Sequence, residues 1–285
     1  MTILITGARG RIARAVHAGL VSNGRDVRLA SREPDLPGTV ALDSASAASW
    51  STALKDISPV FLYSDPSTAP LFVKAAEAAG VKQVVVLSSM SSRADQADRH
   101  DHDDHDDQDV AGADPHSVTE RVILGGAFAS TRLQPGTFMT NAIYWSYQIR
   151  ATGQIRLPYL EAEEAPIHEQ DIADVAIKVL LDGPGGEHDG RGYPMTGPDS
   201  MTRRRQLDLI TELTGVPIEQ VELTPAQARE EMAASMRNPA QLESLMSYWA
   251  SRVGTPHPIE HTVELLTGHA GRTFEQWLKD NPAVF

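Results

Sequence analysis

The sequence predicts an α/β fold in which a doubly wound parallel sheet is followed by a smaller, mainly helical C-terminal domain. Three observations predict it. Apolar strand patterns alternate with helical patterns through the first five strands, which is the order of a parallel sheet with helical crossovers. A glycine turn joins the first strand to the first helix. Beyond residue 224 the periodicity is almost entirely helical.

The amino-terminal stretch predicts a strand, a tight turn and a helix. Residues 2–6 are a short β-branched apolar run, Gly7 and Gly10 follow at once, and apolar residues then recur at helical spacing from Ile12. In this Gly-x-x-Gly-x-x-Ala spacing, Gly7 permits a sharp turn, Gly10 permits close approach to a pyrophosphate, and Ala13 keeps the helix near the strand. The helix would also direct N–H groups and a positive dipole end at an anion.

This context predicts a Rossmann-type dinucleotide site, with an ordinary strand-to-helix turn as the alternative. Two arginines within the turn add positive charge to the site. The residues expected to bind the cofactor here are Gly7, Ala8, Arg9, Gly10, Arg11 and Ile12.

The end of the second strand, predicted over residues 26–31, bears on the choice of cofactor. An acidic residue here would bind a ribose 2′-hydroxyl, whereas an arginine accommodates a 2′-phosphate. The chain has Ser31 followed by Arg32, which favours NADP(H) over NAD(H). The alternative is a solvated arginine at a strand end.

Three further strands are predicted over residues 40–42, 59–63 and 82–88, with helices over 44–54 and 69–79. Ligands of such sheets bind at the carboxyl ends of the strands. We therefore expect further cofactor contacts from polar residues at these ends and from the turn after the sixth strand. They are Asp43, Tyr63, Ser64, Ser88, Ser89 and Pro135.

Residues 94–114 interrupt the pattern with a tract rich in histidine and aspartate and without apolar periodicity. Such a segment cannot bury enough surface to offset its ordering entropy, so a mobile loop is expected, which would serve as a lid. Chelation of a divalent metal is the alternative. We predict no dedicated metal site, because low-complexity tracts lack a packed second shell.

The pattern resumes with a helix over 116–124, a strand over 130–133 and an aromatic-rich segment over 138–147. That segment fits a core helix or the wall of a pocket for a flat, apolar substrate. The predicted substrate contacts are Met90, Thr137, Phe138, Asn141 and Tyr144.

The remaining chain predicts a helix over 172–181, strands over 193–196 and 218–223, and further helices over 202–214, 227–236, 239–250, 259–266 and 274–279. We expect a dinucleotide-binding domain over residues 1–141 and a substrate-binding region over 142–285, in which residues 167–182 pack back on the sheet.

Composition narrows the class of protein. The chain has 285 residues, 41% of them hydrophobic, and no apolar run of the ~18–20 residues that a membrane helix needs. Because Met1 leads directly into a predicted core strand, we expect a cytoplasmic protein. The absence of cysteine excludes disulfides and thiolate catalysis. A net charge of −13 disfavours nucleic acid as a partner; a small molecule is expected instead, bound by a monomer or homodimer.

Several motifs resemble the NmrA-like family of atypical short-chain dehydrogenases/reductases, and most closely its NAD(P)H:quinone oxidoreductase type. The resemblance spans nearly the whole chain, and residues 116–141 are its most specific part because both spacing and residue type agree. The other matching stretches are residues 6–13, 85–89, 167–176, 193–197 and 272–277.

The resemblance also implies candidate catalytic residues. Short-chain dehydrogenases commonly use Tyr-x-x-x-Lys, with a glutamate four residues later in extended members. Here Glu120 matches the glutamate, His116 stands in place of the lysine, and Gly112 stands in place of the tyrosine. His116 is therefore the candidate proton donor and Glu120 the residue that orients it. The alternative is that His116 is a surface residue or forms a hydrogen bond to the cofactor ribose. Family members also often carry Leu-Arg-Pro where this chain has Gln134 between leucine and proline.

These features together predict an NADPH-dependent reductase of a quinone or another flat conjugated carbonyl compound, acting by direct hydride transfer without the tyrosine–lysine pair. One alternative is a non-catalytic regulator that senses NADP(H), because the resemblance includes such proteins. Another is a non-redox isomerase or cyclase of secondary metabolism on the same fold.

Overall fold

The computed structural model describes residues 1–34, 38–93, 114–233, 236 and 238–285. The chain divides into two compact units. The first unit comprises Met1–Gly136, Glu169–Met195 and Thr262–His269, and the second comprises Thr137–His168, Thr196–His261 and Ala270–Phe285. The histidine- and aspartate-rich segment predicted as a loop lies outside the described residues, apart from Asp114.

The first unit contains a seven-stranded parallel sheet in the order β3-β2-β1-β4-β5-β6-β9. Its strands are β1 (Thr2–Ile5), β2 (Val27–Ser31), β3 (Thr39–Ala41), β4 (Ile57–Tyr63), β5 (Gln83–Leu87), β6 (Ala129–Pro135) and β9 (Gly192–Met195). The order reverses at β1, as it does in a doubly wound sheet. The predicted α/β fold class is confirmed.

The strand register aligns the ends of the central strands. Tyr63 of β4 is paired with Leu87 of β5, and Leu87 is paired with Leu133 of β6. The residues that follow these strands therefore lie side by side at one end of the sheet, called here the carboxyl edge.

Helices of the first unit flank this sheet. They are α1 (Arg11–Ser22), α2 (Ala47–Ala53), α3 (Ala69–Ala79), α4 (Pro115–Leu124), α6 (Glu169–Asp182) and α10 (Thr262–Thr267). The buried face of α1 carries Ile12, Ala13, Val16 and Leu20, and α6 packs against it. Asp114 caps α4 by accepting hydrogen bonds from the backbone N–H of His116 at 2.8 Å and of Ser117 at 3.1 Å.

Among the described strands, the outer strand β9 pairs with one neighbour, β6. Pro194 interrupts the backbone donors of β9, and its carbonyl oxygen accepts a hydrogen bond of 2.6 Å from Thr262 Oγ1 at the start of α10. This side of the sheet is therefore closed by a proline and a helix.

The second unit is mainly helical, with two small two-stranded sheets. One sheet pairs β7 (Gln154–Pro158) with β11 (Glu219–Leu223) in parallel, and the other pairs β8 (Glu163–Glu164) with β10 (Met201–Thr202) in antiparallel fashion. Its helices are α5 (Ala142–Thr152), α7 (Arg203–Thr214), α8 (Pro225–Ala233), α9 (Pro239–Arg252) and α11 (Phe274–Asp280). The stacked rings of Phe274 and Trp277 lie in its core.

The aromatic-rich segment predicted over 138–147 forms a short 3₁₀ turn, Met139–Asn141, followed by α5. The turn starts from Phe138, whose backbone is extended and bridges to Ile167. Gly153 then ends α5 in the left-handed conformation. Within the described residues, no helix is both long and apolar enough to cross a bilayer.

Candidate functional site

The glycine turn after β1 has the tight geometry that its sequence predicts. Gly7 has φ 65°, and the Gly10 N–H donates to its carbonyl oxygen at 2.8 Å. A Cβ atom on Gly7 would lie 2.9 Å from the Tyr63 ring, and one on Gly10 would lie 2.6 Å from the Tyr63 hydroxyl. Both glycines are therefore required, because the Tyr63 ring lies directly against this turn.

The turn leads into a helix N-terminus suited to an anion. Within the described chain, no side chain caps α1 at Gly10, and its first turn carries no acidic residue. The first N–H groups of a helix have no intrahelical acceptor. The third N–H group of α1, that of Ala13, does have an acceptor, because it donates to the Tyr63 hydroxyl at 3.2 Å. Burial raises the pKa of Tyr63, although the Ala13 hydrogen bond opposes the shift, so the phenol is neutral.

A cleft of about 450 Å³ extends from this turn along the carboxyl edge. Buried Trp50 lies at its wall, with its indole N–H donating to the Ser44 carbonyl oxygen at 2.9 Å. Its lining also includes Leu42, Leu62, Asp65 and six of the predicted cofactor residues: Gly7, Arg9, Ser31, Arg32, Tyr63 and Ser64. Apolar walls together with the exposed guanidinium groups of Arg9 and Arg32 fit the adenosine half of a phosphorylated dinucleotide.

Arg32 and Glu33 place opposite charges at the end of β2. Glu33 forms an ion pair with Arg9 of the glycine turn, whereas Arg32 has no side-chain partner among the described residues and lines the cleft. Sequence reasoning missed Glu33. The available signal was an acidic residue immediately after Arg32, at the strand end where acidic residues bind ribose.

The remaining predicted cofactor residues have other contacts. Ala8 and Ile12 are buried against the sheet, and Arg11 pairs with Glu169 at 3.5 Å. Asp43 accepts a hydrogen bond from Ala45 N–H at 3.0 Å and so shapes the turn after β3.

A second cluster at the carboxyl edge is built around Glu120 of α4. Its side chain is fully buried. It accepts hydrogen bonds from Ser88 Oγ at 2.5 Å, Ser92 Oγ at 2.8 Å and Gln134 Nε2 at 2.9 Å. Arg132 Nη1 lies 3.5 Å from the other carboxylate oxygen. This cluster joins the predicted residues Ser88 and Glu120 to the end of β6.

Gln134 occupies the position at which the resembling family often carries arginine. Arg132 stands two residues earlier on the same strand and therefore on the same face, and both side chains reach the Glu120 carboxylate. Arg132 therefore supplies a positive charge beside Glu120.

His116 lies in the first turn of α4 and is half-buried. Its Nδ1 atom is shielded from solvent and has no hydrogen-bond partner among the described residues. The hydrogen bond by which Glu120 would orient His116 is absent from the contacts of the described residues. The position aligned with the family's tyrosine, Gly112, lies outside the described residues.

The other residues at the ends of β5 and β6 are held by backbone contacts. Ser88 N–H donates to the Leu133 carbonyl oxygen at 2.7 Å, and Met90 N–H donates to the Pro135 carbonyl oxygen at 3.0 Å. Ser89 Oγ accepts from the Ser91 hydroxyl at 3.0 Å. The segment after β5 is therefore attached to the segment that ends β6.

The predicted substrate residues fall in both units. Met90 belongs to the first unit, whereas Thr137, Phe138, Asn141 and Tyr144 belong to the second. Tyr144 is 74% exposed on α5.

One group of described residues has the composition of a metal site. Ligand atoms of Asp171, Asp174 and His269 lie within 4.8 Å of one another, and His269 Nε2 is 3.2 Å from an Asp174 carboxylate oxygen. Hydrogen-bonded acidic groups of this kind are common without a metal ion.

The glycine turn, the helix N-terminus and the phosphate-compatible cleft define a nicotinamide dinucleotide-binding protein of the Rossmann type. Comparison with known proteins agrees: residues 7–183 match the family described as NAD(P)H-binding. The chain is 30% identical over 293 residues to the (4-alkanoyl-5-oxo-2,5-dihydrofuran-3-yl)methyl phosphate reductase of Streptomyces griseus subsp. griseus, with 99% of each chain covered.

Solved structures show the same fold. The NADPH-dependent quinone oxidoreductase QOR2 of Escherichia coli, complexed with NADPH, has a TM-score of 0.77 at 20% identity, covering 98% of this chain and 99% of that one. NmrA, a negative transcriptional regulator in complex with NADP, has a TM-score of 0.71 at 13% identity, covering 98% and 94%.

The chain belongs to the NAD(P)H-binding family, and its fold is the one that QOR2 and NmrA share. It is an NAD(P)H-dependent oxidoreductase, and the predictions of family and of a nicotinamide cofactor are confirmed.

Proposed function

We propose that the protein is an NADPH-dependent reductase of a quinone or another flat conjugated carbonyl compound, and that it works without a tyrosine–lysine pair. The observation that carries the proposal is the cleft at the carboxyl edge. There Arg32 lies beside the glycine turn and the uncapped N-terminus of α1. Together these groups offer a site for both the pyrophosphate and a 2′-phosphate.

The preference for NADPH follows from the charges at the end of β2. An arginine that hydrogen-bonds a phosphate contributes about 1.5–3 kcal/mol. The neighbouring Glu33, which would favour the unphosphorylated cofactor, is engaged by Arg9. The balance of these two residues therefore favours the phosphorylated cofactor.

The substrate class is supported by the full-length relative from Streptomyces griseus. Its name describes a 5-oxo-2,5-dihydrofuran ring, in which the carbonyl group is conjugated with the ring double bond. Quinones share this electron-poor conjugated system. Reduction of either requires a hydride acceptor carbon and a proton for the resulting oxyanion.

When bound, the nicotinamide ring of the cofactor supplies the hydride. The protein then has to hold the substrate in a near-attack arrangement and provide or admit a proton. We assign the proton to His116, whose Nδ1 has no hydrogen-bond partner in the part of the chain that the structure describes, or to water in its absence. Substrate contacts are proposed for Met90, Thr137 and Phe138, and for Asn141 and Tyr144.

The direct test is NADPH oxidation with a panel of quinones, enones and unsaturated lactones. We expect turnover by the wild type and at least about tenfold lower kcat for His116→Ala. Arg121→Ala is the matched control, because Arg121 is an exposed residue of the same helix. Wild-type rates equal to those of buffer would refute the reductase, and an unaffected His116→Ala would refute the proton donor alone.

The alternatives give different results in the same assay. Product formation without a change in nicotinamide absorbance would indicate an isomerase or cyclase. Tight NADPH binding without turnover of any compound would favour a sensor.

A further inference from the structure

We propose that Glu120 is a positioning residue: its buried carboxylate fixes the turn of residues 88–92, and through that turn it places Met90 against the substrate. The proposal rests on the proposed function, because Met90 is one of the residues assigned to the substrate there. It gives Glu120 a role different from that of a catalytic partner for His116.

Glu120 cannot touch a substrate, because its side chain is fully buried. Burying a carboxylate is costly unless its oxygens accept several hydrogen bonds. Here Ser88, Ser92 and Gln134 donate to it at 2.5–3.1 Å, and Arg132 lies at 3.5 Å. The buried carboxylate is therefore held in a network of side-chain donors from β6 and from the segment after β5.

Two of these donors lie at the two ends of one short turn. Ser88 is the first residue after β5, and Ser92 stands four residues later. Ser92 Oγ is also 2.7 Å from the Ser89 carbonyl oxygen and receives a hydrogen bond of 3.1 Å from Gln134 Nε2. A single carboxylate thus fastens both ends of the turn.

Met90 lies in the middle of this turn at the carboxyl edge. Its N–H donates to the Pro135 carbonyl oxygen at 3.0 Å. A Cβ atom on Gly136 would lie 3.2 Å from Met90 Sδ, so the thioether packs directly on the Gly136 backbone. A polarizable side chain held at the ends of β5 and β6 gives a fitting surface for a flat conjugated ring.

The test uses Glu120→Gln and the exchange double variant Glu120→Gln/Gln134→Glu. In the single variant the amide N–H₂ group introduced at position 120 faces the N–H₂ group of Gln134, so two donors oppose each other. The exchange variant restores one carboxylate–amide pair. For the single variant we expect kcat/KM for the quinone to fall about tenfold or more while the Kd for NADPH changes less than twofold. The exchange should recover most of that loss.

Glu77→Gln is the matched control. Glu77 is likewise a hydrogen-bonded carboxylate, accepting from Ala127 N–H at 2.9 Å, but it lies on the exposed surface. Its kinetic parameters should equal those of the wild type. Ser92→Ala, a smaller change, provides a second variant should Glu120→Gln fail to fold, and it should shift kcat/KM in the same direction.

A second measurement is independent of turnover. In the NADPH complex labelled at methionine methyl groups, the Met90 methyl resonance, assigned with Met90→Leu, should shift in Glu120→Gln and return in the exchange variant. An unmoved resonance, or unchanged kinetics in Glu120→Gln, overturns the proposal. The proposal is also overturned if Glu120→Gln loses thermal stability, NADPH affinity and activity together and the exchange variant does not restore them. A wild type that turns over no substrate refutes the proposed function, and the resonance then decides the positioning role.

Discussion

At the scale of single residues, the choice between two cofactors depends on neighbours of opposite charge. Arg32 is exposed in the cleft, whereas Glu33 is paired with Arg9. The sequence shows both side chains, but it cannot show which of them faces the cleft. That depends on the approach of the glycine turn to the end of β2, which is a long-range contact.

Arg32→Ala should raise KM for NADPH about 10- to 100-fold, because it removes a charge-assisted hydrogen bond to the 2′-phosphate. KM for NADH should change little. Titration with adenosine 2′,5′-bisphosphate isolates this contact, since the probe lacks the nicotinamide. Arg25→Ala is the control, because exposed Arg25 precedes β2 instead of following it. Equal losses for both cofactors would contradict the assignment.

Tyr248 gives a prediction for alkaline pH. Burial raises the pKa of Tyr248 to about 12, the charge of Glu164 adds to the shift, and a hydrogen bond with Thr137 opposes it. A pKa raised in the folded state means that stability is complete below pH ~10 and falls as pH rises through about 12. Tyr248→Phe should lessen this fall in urea unfolding between pH 9, about one unit below ordinary tyrosine ionisation, and the raised value of about 12. Tyr144→Phe, at an exposed site, should not.

Gln134, which stands where the family often carries arginine, and the nearby Arg132 show how much a sequence pattern can predict. The pattern identified a missing arginine, and strand periodicity would have placed residue 132 on the same face. What it could not supply was the partner, since Glu120 reaches Gln134 and Arg132 from another element, α4. Site residues are predictable one by one, whereas their network depends on the packed fold.

At the scale of elements, a chain of three side chains joins α6 to β9. His188 Nδ1 lies 2.7 Å from the Tyr193 hydroxyl, and His188 Nε2 lies 2.8 Å from an Asp182 carboxylate oxygen. Lys178 also pairs with Asp182. His188 is almost completely buried, so this chain fixes the loop that leads into the outer strand.

Acid should weaken this connection. Burial alone would raise the pKa of Asp182, but hydrogen bonds and charges from Lys178 and His188 lower it below its usual value. A lowered carboxyl pKa contributes stability above the unfolded value, near 3.9, and that contribution is lost as pH falls through the folded value. The wild type should therefore lose more unfolding free energy than Asp182→Asn between pH 5 and pH 3, a window that brackets the ordinary aspartate pKa by about one unit.

His188→Ala tests the same connection at neutral pH. It removes two hydrogen bonds and leaves a buried cavity, so we expect a loss of about 2–3 kcal/mol in urea unfolding. His17→Ala, on the helix α1, should cost much less. A loss below about 0.5 kcal/mol for His188→Ala would contradict the role given to this chain.

The bounds of the long elements agree closely with those predicted from the sequence, whereas several short strands were missed. α3 matches its predicted bounds, 69–79, because Gly80 ends it in the left-handed conformation. The strands β7, β8 and β10 were not predicted. β8 and β10 have two residues each, and β7 pairs with β11 more than sixty positions further along the chain. Such pairings depend on distant partners, which local periodicity does not report.

At the scale of the whole molecule, the net charge of −13 opposes binding of an anionic cofactor. Arg9, Arg11 and Arg32 nonetheless gather around the glycine turn and the end of β2. Arg9 and Arg11 are paired with Glu33 and Glu169, so among the described residues Arg32 and the N–H groups at the start of α1 remain to attract an anionic cofactor.

NADPH at about 100 times its Kd should raise the free energy of unfolding by about 2.7 kcal/mol. In hydrogen exchange, the protection should be greatest in residues 7–13, 31–32 and 63–68, which line or adjoin the cleft. NADH at the same concentration should protect residues 31–32 less. Protection confined to the second unit would contradict the proposed cofactor site.

The proline in β9 affects how readily copies of the protein aggregate at high concentration. An outer strand can pair with an extended segment of another chain and so start fibril growth. At Pro194 that pairing meets a residue without an amide hydrogen and a carbonyl already occupied by Thr262. At this position the β9 edge therefore lacks the backbone donor that pairing with another chain would use, and its acceptor is engaged.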